Sequence, residues 1–179
     1  MIKNLFEFDK NMNILPAPEV LMIKEFGAIW DRDKTQFKKK ALTEFSYVWY
    51  MCVKDRKKNP YYEKYVDDAD KKSLAIIADI FTDKWKVDKV IENAISKFNE
   101  LNYSEAIDTR DRLIIAKTRL KEWFRNFTPE QDDTGNLLQR NTKSIQELTK
   151  AIKEYDTLVE QELTEVNDVF GGGTLGSFE

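Results

Sequence analysis

The chain has 179 residues, 41% of them hydrophobic and 34% charged, and a formal net charge of −3; this balance excludes a general electrostatic pull toward nucleic acid or anionic lipid. It holds no histidine and one cysteine, Cys52, which removes the usual general base, the commonest zinc ligand and any intrachain disulfide. A mean hydropathy of −0.60 over so many charges predicts narrow apolar stripes on well-solvated helices, and no apolar run is long enough for a membrane span.

Residues 1–18 read as an extended arm. Leu5, Phe6 and Phe8 precede Asn11 and Asn13, and Pro16 and Pro18 disfavour helix at the residues before them. A first helix is predicted over 19–30, with Ile23, Phe26, Ile29 and Trp30 on one face. A second spans 34–53 with Phe37, Ala41, Phe45, Val48, Trp49 and Cys52 in one stripe, and its end, apolar nearly all round, is expected to lie deepest. Asn59-Pro60 marks a turn at the end of a basic linker. Helical spacing returns over 67–81 (Leu74, Ile77, Ala78, Phe81), over 87–101 (Val87, Ile91, Ala94, Phe98) and over 105–127, opened by Ser104.

Residues 130–136 are acidic, contain Gly135 and read as a loop. The last helix is predicted over 144–169. Ser144 and Glu147 have capping-box spacing, and Ile145, Leu148, Ile152, Tyr155 and Val159 form a seam that suits either a hairpin partner in the same chain or a coiled coil between chains. The terminal stretch 171–179 holds four of the six glycines and reads as a flexible tether bearing Leu175 and Phe178 as anchors.

Candidate chemistry is sparse. Tyr65-Val66-Asp67-Asp68 has the spacing of a two-magnesium polymerase motif, yet the helical pattern that follows makes Asp67 or Asp68 an N-cap. The segment 132–136 has some calcium-loop flavour but lacks alternate-position acids and a terminal bidentate Glu. No Walker or Rossmann glycine pattern is possible, since only Gly27 and Gly135 precede residue 171. In residues 32–64, basic side chains interleave with Phe37, Phe45, Tyr47, Trp49, Tyr50, Tyr61 and Tyr62. Such a mixture can grip phosphates and stack bases, or be the solvated and buried faces of one helix. Cys52 lies among aromatics and reads as a buried, inert thiol.

Three stretches, Ile14 to Glu19, FGAIWDRDK at 26–34 and KALTEFSYVWYM at 40–51, together with the C-terminal Gly176-Ser177-Phe178-Glu179, resemble small structural proteins of tailed bacteriophages, crAss-like phages in particular. The resemblance covers the first third of the chain and its last nine residues. It implies a virion component of the portal vertex or neck, forming rings between capsid and tail, or a capsid accessory protein. It implies no active-site residue and assembly in a bacterial cytoplasm.

The expected fold is all-α, an irregular bundle of five to six helices, with an extended arm at 1–18, one helical domain at 19–170 and a flexible tail at 171–179. The expected function is non-enzymatic: a head-to-tail connector or neck ring subunit, homo-oligomeric, touching portal, ring or capsid proteins through Phe6, Phe8, Leu15, Leu175 and Phe178. No catalytic residue, cofactor, metal or membrane contact is expected. The alternative is a small intracellular nucleic-acid-binding or regulatory protein using residues 32–64.

Overall fold

Helical spacing and side-chain caps turn the predicted stripes into seven α-helices preceded by a short β-hairpin, in a computed structural model that describes residues 5–8, 14–55, 58–81, 84–127 and 134–169, without the side chains of 7, 8, 134 and 163–169. The fold is all-α and irregular, as periodicity predicts. In place of one helical domain over 19–170, the chain divides into two units, Met1–Tyr103 and Ser104–Glu179.

The stretch expected to be an arm pairs with itself: β1 (Phe6–Phe8) runs antiparallel to β2 (Ile14–Pro16), Phe6 opposite Pro16 and Phe8 opposite Ile14. A proline is tolerated because a two-stranded ribbon consists of edges, whose outward N–H groups need no partner. The Ala17 N–H donates to the Leu5 carbonyl at 3.1 Å and closes the hairpin's open end. Leu5, Phe6 and Ile14 are buried. The Phe6 ring lies 5.9 Å from that of Phe26, 5.5 Å from Phe45 and 5.8 Å from Phe98. Burying a ring of this size contributes about 2–3 kcal/mol, which is why the segment docks.

A 3-10 turn at Val20–Met22 leads into α1 (Lys24–Arg32). Helix α2 (Lys39–Cys52) follows, five residues later than predicted, because Asp33 builds the approach to it. One Asp33 oxygen accepts from the Thr35 amide (2.9 Å) and hydroxyl (2.8 Å), the other from the Ala41 amide (3.0 Å). The turn needs a left-handed residue, and Lys38 supplies it at φ 50°, a conformation that costs a non-glycine residue about 1 kcal/mol or more. Its ammonium offsets that strain by donating to the Trp30 and Asp33 carbonyls at 3.0 and 2.6 Å, at the C-terminal end of α1.

Then come α3 (Pro60–Lys64), α4 (Ala69–Ile80) and α5 (Lys89–Leu101). Their N-caps, Asn59, Asp68 and Asp88, each accept from a backbone amide in the first turn. Helix α2 is the centre of the unit and packs on β2, α1, α3, α4 and α5. The deepest part spans Glu44 to Trp49, one turn earlier than predicted, since Tyr50 and Met51 are only half-buried.

The second unit is a helical hairpin of α6 (Glu105–Asn126) and α7 (Thr134–Val169). The Ser104 side chain caps α6 by accepting from the Ile107 amide at 3.2 Å. Ser104 Oγ meets Glu162 Oε2 at 2.6 Å and Arg110 reaches Asp156 at 3.6 Å, so the helices run antiparallel. Helix α7 begins ten residues before its predicted start. Ser144 and Glu147 therefore lie inside the helix and form no capping box, and residues 134–136 are helical, not loop. The seam explains the early start: Leu138, Ile145, Ile152 and Val159 recur every seven residues, and covering that row outweighs the roughly 1 kcal/mol cost of Gly135 in a helix.

Candidate interaction surfaces

The most connected polar group in the first unit joins Arg32, Glu44, Trp85 and Asp88. Glu44 is buried in α2; it accepts from Arg32 Nε at 3.0 Å and from Trp85 Nε1 at 3.4 Å, and lies 2.7 Å from Arg32 Nη2 as an ion pair. Arg32 also meets Asp88 at 2.5 Å. A buried carboxylate without such donors would be strongly destabilising. Here two acids share one guanidinium and bind the end of α1 to α2 and to the cap of α5. Around it, the Trp85 and Phe81 rings stack at 3.9 Å, and the buried Tyr47 ring lies 4.9 Å from Trp85. The Tyr47 hydroxyl meets Ser73 Oγ at 2.6 Å. These groups hold helices together.

Two further polar side chains close helix ends. The Asn59 amide donates to the Tyr50 and Val53 carbonyls at 2.7 and 2.6 Å, at the C-terminal end of α2, while its Oδ1 accepts from the Tyr61 amide at 3.1 Å. Lys72 is buried and donates to the Met51 carbonyl at 2.9 Å. Tyr61 donates to Asp79 at 2.7 Å, and burial together with that bond pushes its phenol upward.

The residues singled out in sequence find definite places. Asp68 caps α4, accepting from the Lys71 amide at 2.9 Å and pairing with its ammonium at 2.8 Å. These bonds hold its carboxyl below the ordinary range. Among the described residues no group of three or more Cys, Asp or Glu side chains is placed to hold a metal ion. In the basic-aromatic segment, Phe45, Tyr47, Trp49 and Tyr62 are buried, Tyr50 and Tyr61 pack ring to ring at 5.3 Å, and Phe37 alone among those seven is 70% exposed. Six of the seven rings therefore pack in or against the core, and Phe37 faces solvent. Cys52 is buried, 3.9 Å from the Ile95 carbonyl, and burial pushes its thiol up to about 12. Of the expected partner contacts, Phe6 is corrected by the structure, being buried in its own unit. Leu15 is half-buried on β2. Leu175, Phe178 and the Phe8 side chain fall outside the described residues.

The second unit presents a surface that sequence reading did not single out. At 100° per residue, Leu113, Ala116, Leu120, Trp123 and Phe127 follow one another on α6 at steps of three and four, beside the row that faces α7. On α7, Leu148, Ala151, Tyr155 and Leu158 do the same, and Leu137 lies three turns before them with the polar Asn141 and Ser144 between. Because the helices are antiparallel, both rows lie on the same side of the hairpin. None of these ten residues is buried, and Leu137 and Leu158 remain 44% and 46% exposed. The Trp123 ring lies 4.8 Å from Phe127 and 5.0 Å from Phe124 at the end of α6. An open depression of about 410 Å³, lined by Ser144, Glu147, Leu148 and Ala151, sits in the same row of α7. The opposite side of α7 is polar: Thr142, Thr149, Lys153 and Asp156. Leu148 and Tyr155, expected in the seam, are half-buried at its edge, and the rest of the surface depends on which sides of the two helices meet.

No helix among the described residues is long and apolar enough to cross a membrane. Comparison of the chain with protein-family models, curated proteins and solved structures finds no match.

Proposed function

We propose that this chain is a non-enzymatic structural subunit that works by docking onto other protein chains, in the particle of a tailed phage. The observation that carries the docking reading is the incompletely covered side of the α6–α7 hairpin. Two helices laid side by side can cover only the stripe between them, and here a second row on each helix stays half-uncovered. Patches of this kind mark interaction surfaces. Polar side chains that could have formed a reactive cluster, Glu44, Asn59 and Lys72, are instead committed to helix ends and buried ion pairs.

The phage setting rests on the resemblance of residues 14–19, 26–34, 40–51 and the C-terminus to virion structural proteins. In this fold the first three of those stretches are β2, α1 and α2, the elements that build the first unit's core. The assignment follows as a neck or connector ring subunit between capsid and tail, assembled in the host cytoplasm, with portal, capsid or adjacent ring proteins as partners. Phe8, Leu15, Leu175 and Phe178 are proposed contacts in addition to the hairpin side. Deleting residues 171–179 tests the tail: the helical circular dichroism signal is expected to persist while particle assembly fails. Normal particle yield from the truncated chain would remove the tail from the proposal.

A further inference from the structure

Phe37 is the one ring of the basic-aromatic segment that faces solvent, and the turn between α1 and α2 holds it there, 70% exposed. Asp33 fixes that turn on both sides of the ring, through Thr35 and the Ala41 amide. The Lys38 ammonium ties the next residue back to the Trp30 and Asp33 carbonyls. A turn bound at both ends has little freedom left to lose when a ligand meets the ring.

Cations gather at this end of α2. Residues 32–40 hold five Lys and Arg against Asp33 alone. Lys34, Lys39 and Lys40 lie within three residues of Phe37, are exposed and pair with no acid among the described residues. Lys84 and Lys86, also exposed, join them. Trp85, between these two, donates its indole N–H to Glu44 at 3.4 Å, one helical turn along α2 from Lys40. Of the acids nearby, Glu44 and Asp88 share the Arg32 guanidinium, Asp33 bonds to backbone amides, and Asp31 is exposed. The net charge of −3 belongs to the whole chain; this end of the first unit has the opposite sign.

We infer that the α1–α2 turn binds single-stranded nucleic acid, one base stacking on Phe37 while Lys34, Lys39, Lys40, Lys84 and Lys86 hold the neighbouring phosphates. The contact is separate from the docking of the α6–α7 hairpin and uses none of its residues. Lysines supply an attraction to the backbone that weakens with salt, and an exposed ring supplies a sequence-tolerant platform, since every base has a flat face. A strand is favoured over a duplex because paired bases stack on one another and offer an isolated ring no face. A lipid surface fits less well: a single ring between Gln36 and Lys38 offers little to a bilayer in which even a whole acyl chain holds only marginally. An acidic protein segment would engage the lysines and leave the ring unused.

Fluorescence anisotropy of the full chain with a labelled oligothymidine of about 20 nucleotides tests this at about 50 and 200 mM salt, beside the same strand in a duplex and cosedimentation with vesicles of anionic phospholipid. The wild type is expected to bind the strand more tightly than the duplex or the vesicles, and less tightly as salt rises. Phe37→Ala is expected to weaken binding about tenfold and to leave the salt dependence as it was. Lys39→Glu with Lys40→Glu is expected to weaken binding and to make the slope of log affinity against log salt shallower by about 1.4 or more. Both variants alter exposed positions, and their helical circular dichroism signals are expected to match the wild type. No binding to the strand at low salt, binding indifferent to Phe37→Ala, or a preference for duplex or vesicles overturns the inference. None of these results bears on the hairpin's docking, and absence of the chain from purified particles would leave strand binding standing.

Discussion

Replacing Asn59 gives the most informative perturbation of the first unit, because one side chain there serves two helices. Asn59→Ala removes the α3 N-cap, worth about 1 kcal/mol. It also strips the Tyr50 and Val53 carbonyls of their donor at a site only 1% exposed, at about 1 kcal/mol each. The expected loss is about 3 kcal/mol, or roughly 10–20 °C in Tm for a unit of this size. Asn59→Asp separates the contributions. It keeps the cap acceptor but directs a carboxylate oxygen at two carbonyl oxygens, so at pH 7 it is expected to cost more than alanine. As pH falls and the new carboxyl protonates, it regains a donor and the deficit narrows. Urea unfolding followed by circular dichroism measures both. A loss below about 1 kcal/mol for Asn59→Ala, or an aspartate variant more stable than the alanine variant at pH 7, would refute the reasoning.

Gly27→Ala is expected to destabilise by about 1–3 kcal/mol despite alanine's better helix propensity, because its Cβ would stand 2.8 Å from the Leu21 carbonyl oxygen, a backbone atom; thermal melts decide. Lys38→Gly is expected to be more stable than Lys38→Ala by about 1 kcal/mol, since both lose the ammonium's bonds but only glycine escapes the left-handed strain. Asp33 is held down to about 2, first by the Ala41 amide and then by that of Thr35. Its folded value lies below its unfolded one near 3.9, so its contribution is complete above about pH 4 and is lost as pH falls toward 2. Asp33→Asn is therefore expected to flatten the acid limb of a stability–pH curve in that window. Cys52 is expected to resist thiol reagents at pH 8 in the native protein and to react only on unfolding; rapid native labelling would contradict its burial.

Local signals were legible and long-range ones were not. Asp68 and Ser104 announce α4 and α6 because capping is decided within three residues, whereas Asn59-Pro60 reads only as a turn and the five-residue α3 that it opens was not expected. The hairpin escaped notice because three-residue strands have no periodicity to read; Phe6 is drawn in by Phe26, Phe45 and Phe98, residues far along the chain. The Arg32–Glu44–Asp88 group spans 12 and 56 residues of sequence, so no motif could reveal it. The start of α7 was misplaced because Ser144 and Glu147 satisfy a local rule that the longer row from Leu138 to Val159 overrides. The last helix's partner, open in the sequence, is α6 of the same chain. The hairpin's exposed side was written in both helices, but its meaning depends on their antiparallel pairing.

The claim that this chain serves by docking into a particle is tested most directly by quantitative mass spectrometry of density-purified virions from the host in which the chain is made. The account predicts that the chain co-purifies with portal and capsid proteins at a fixed ratio and that washing in high salt does not remove it. Its absence from the particles, together with a free monomer in the soluble fraction, would contradict the claim.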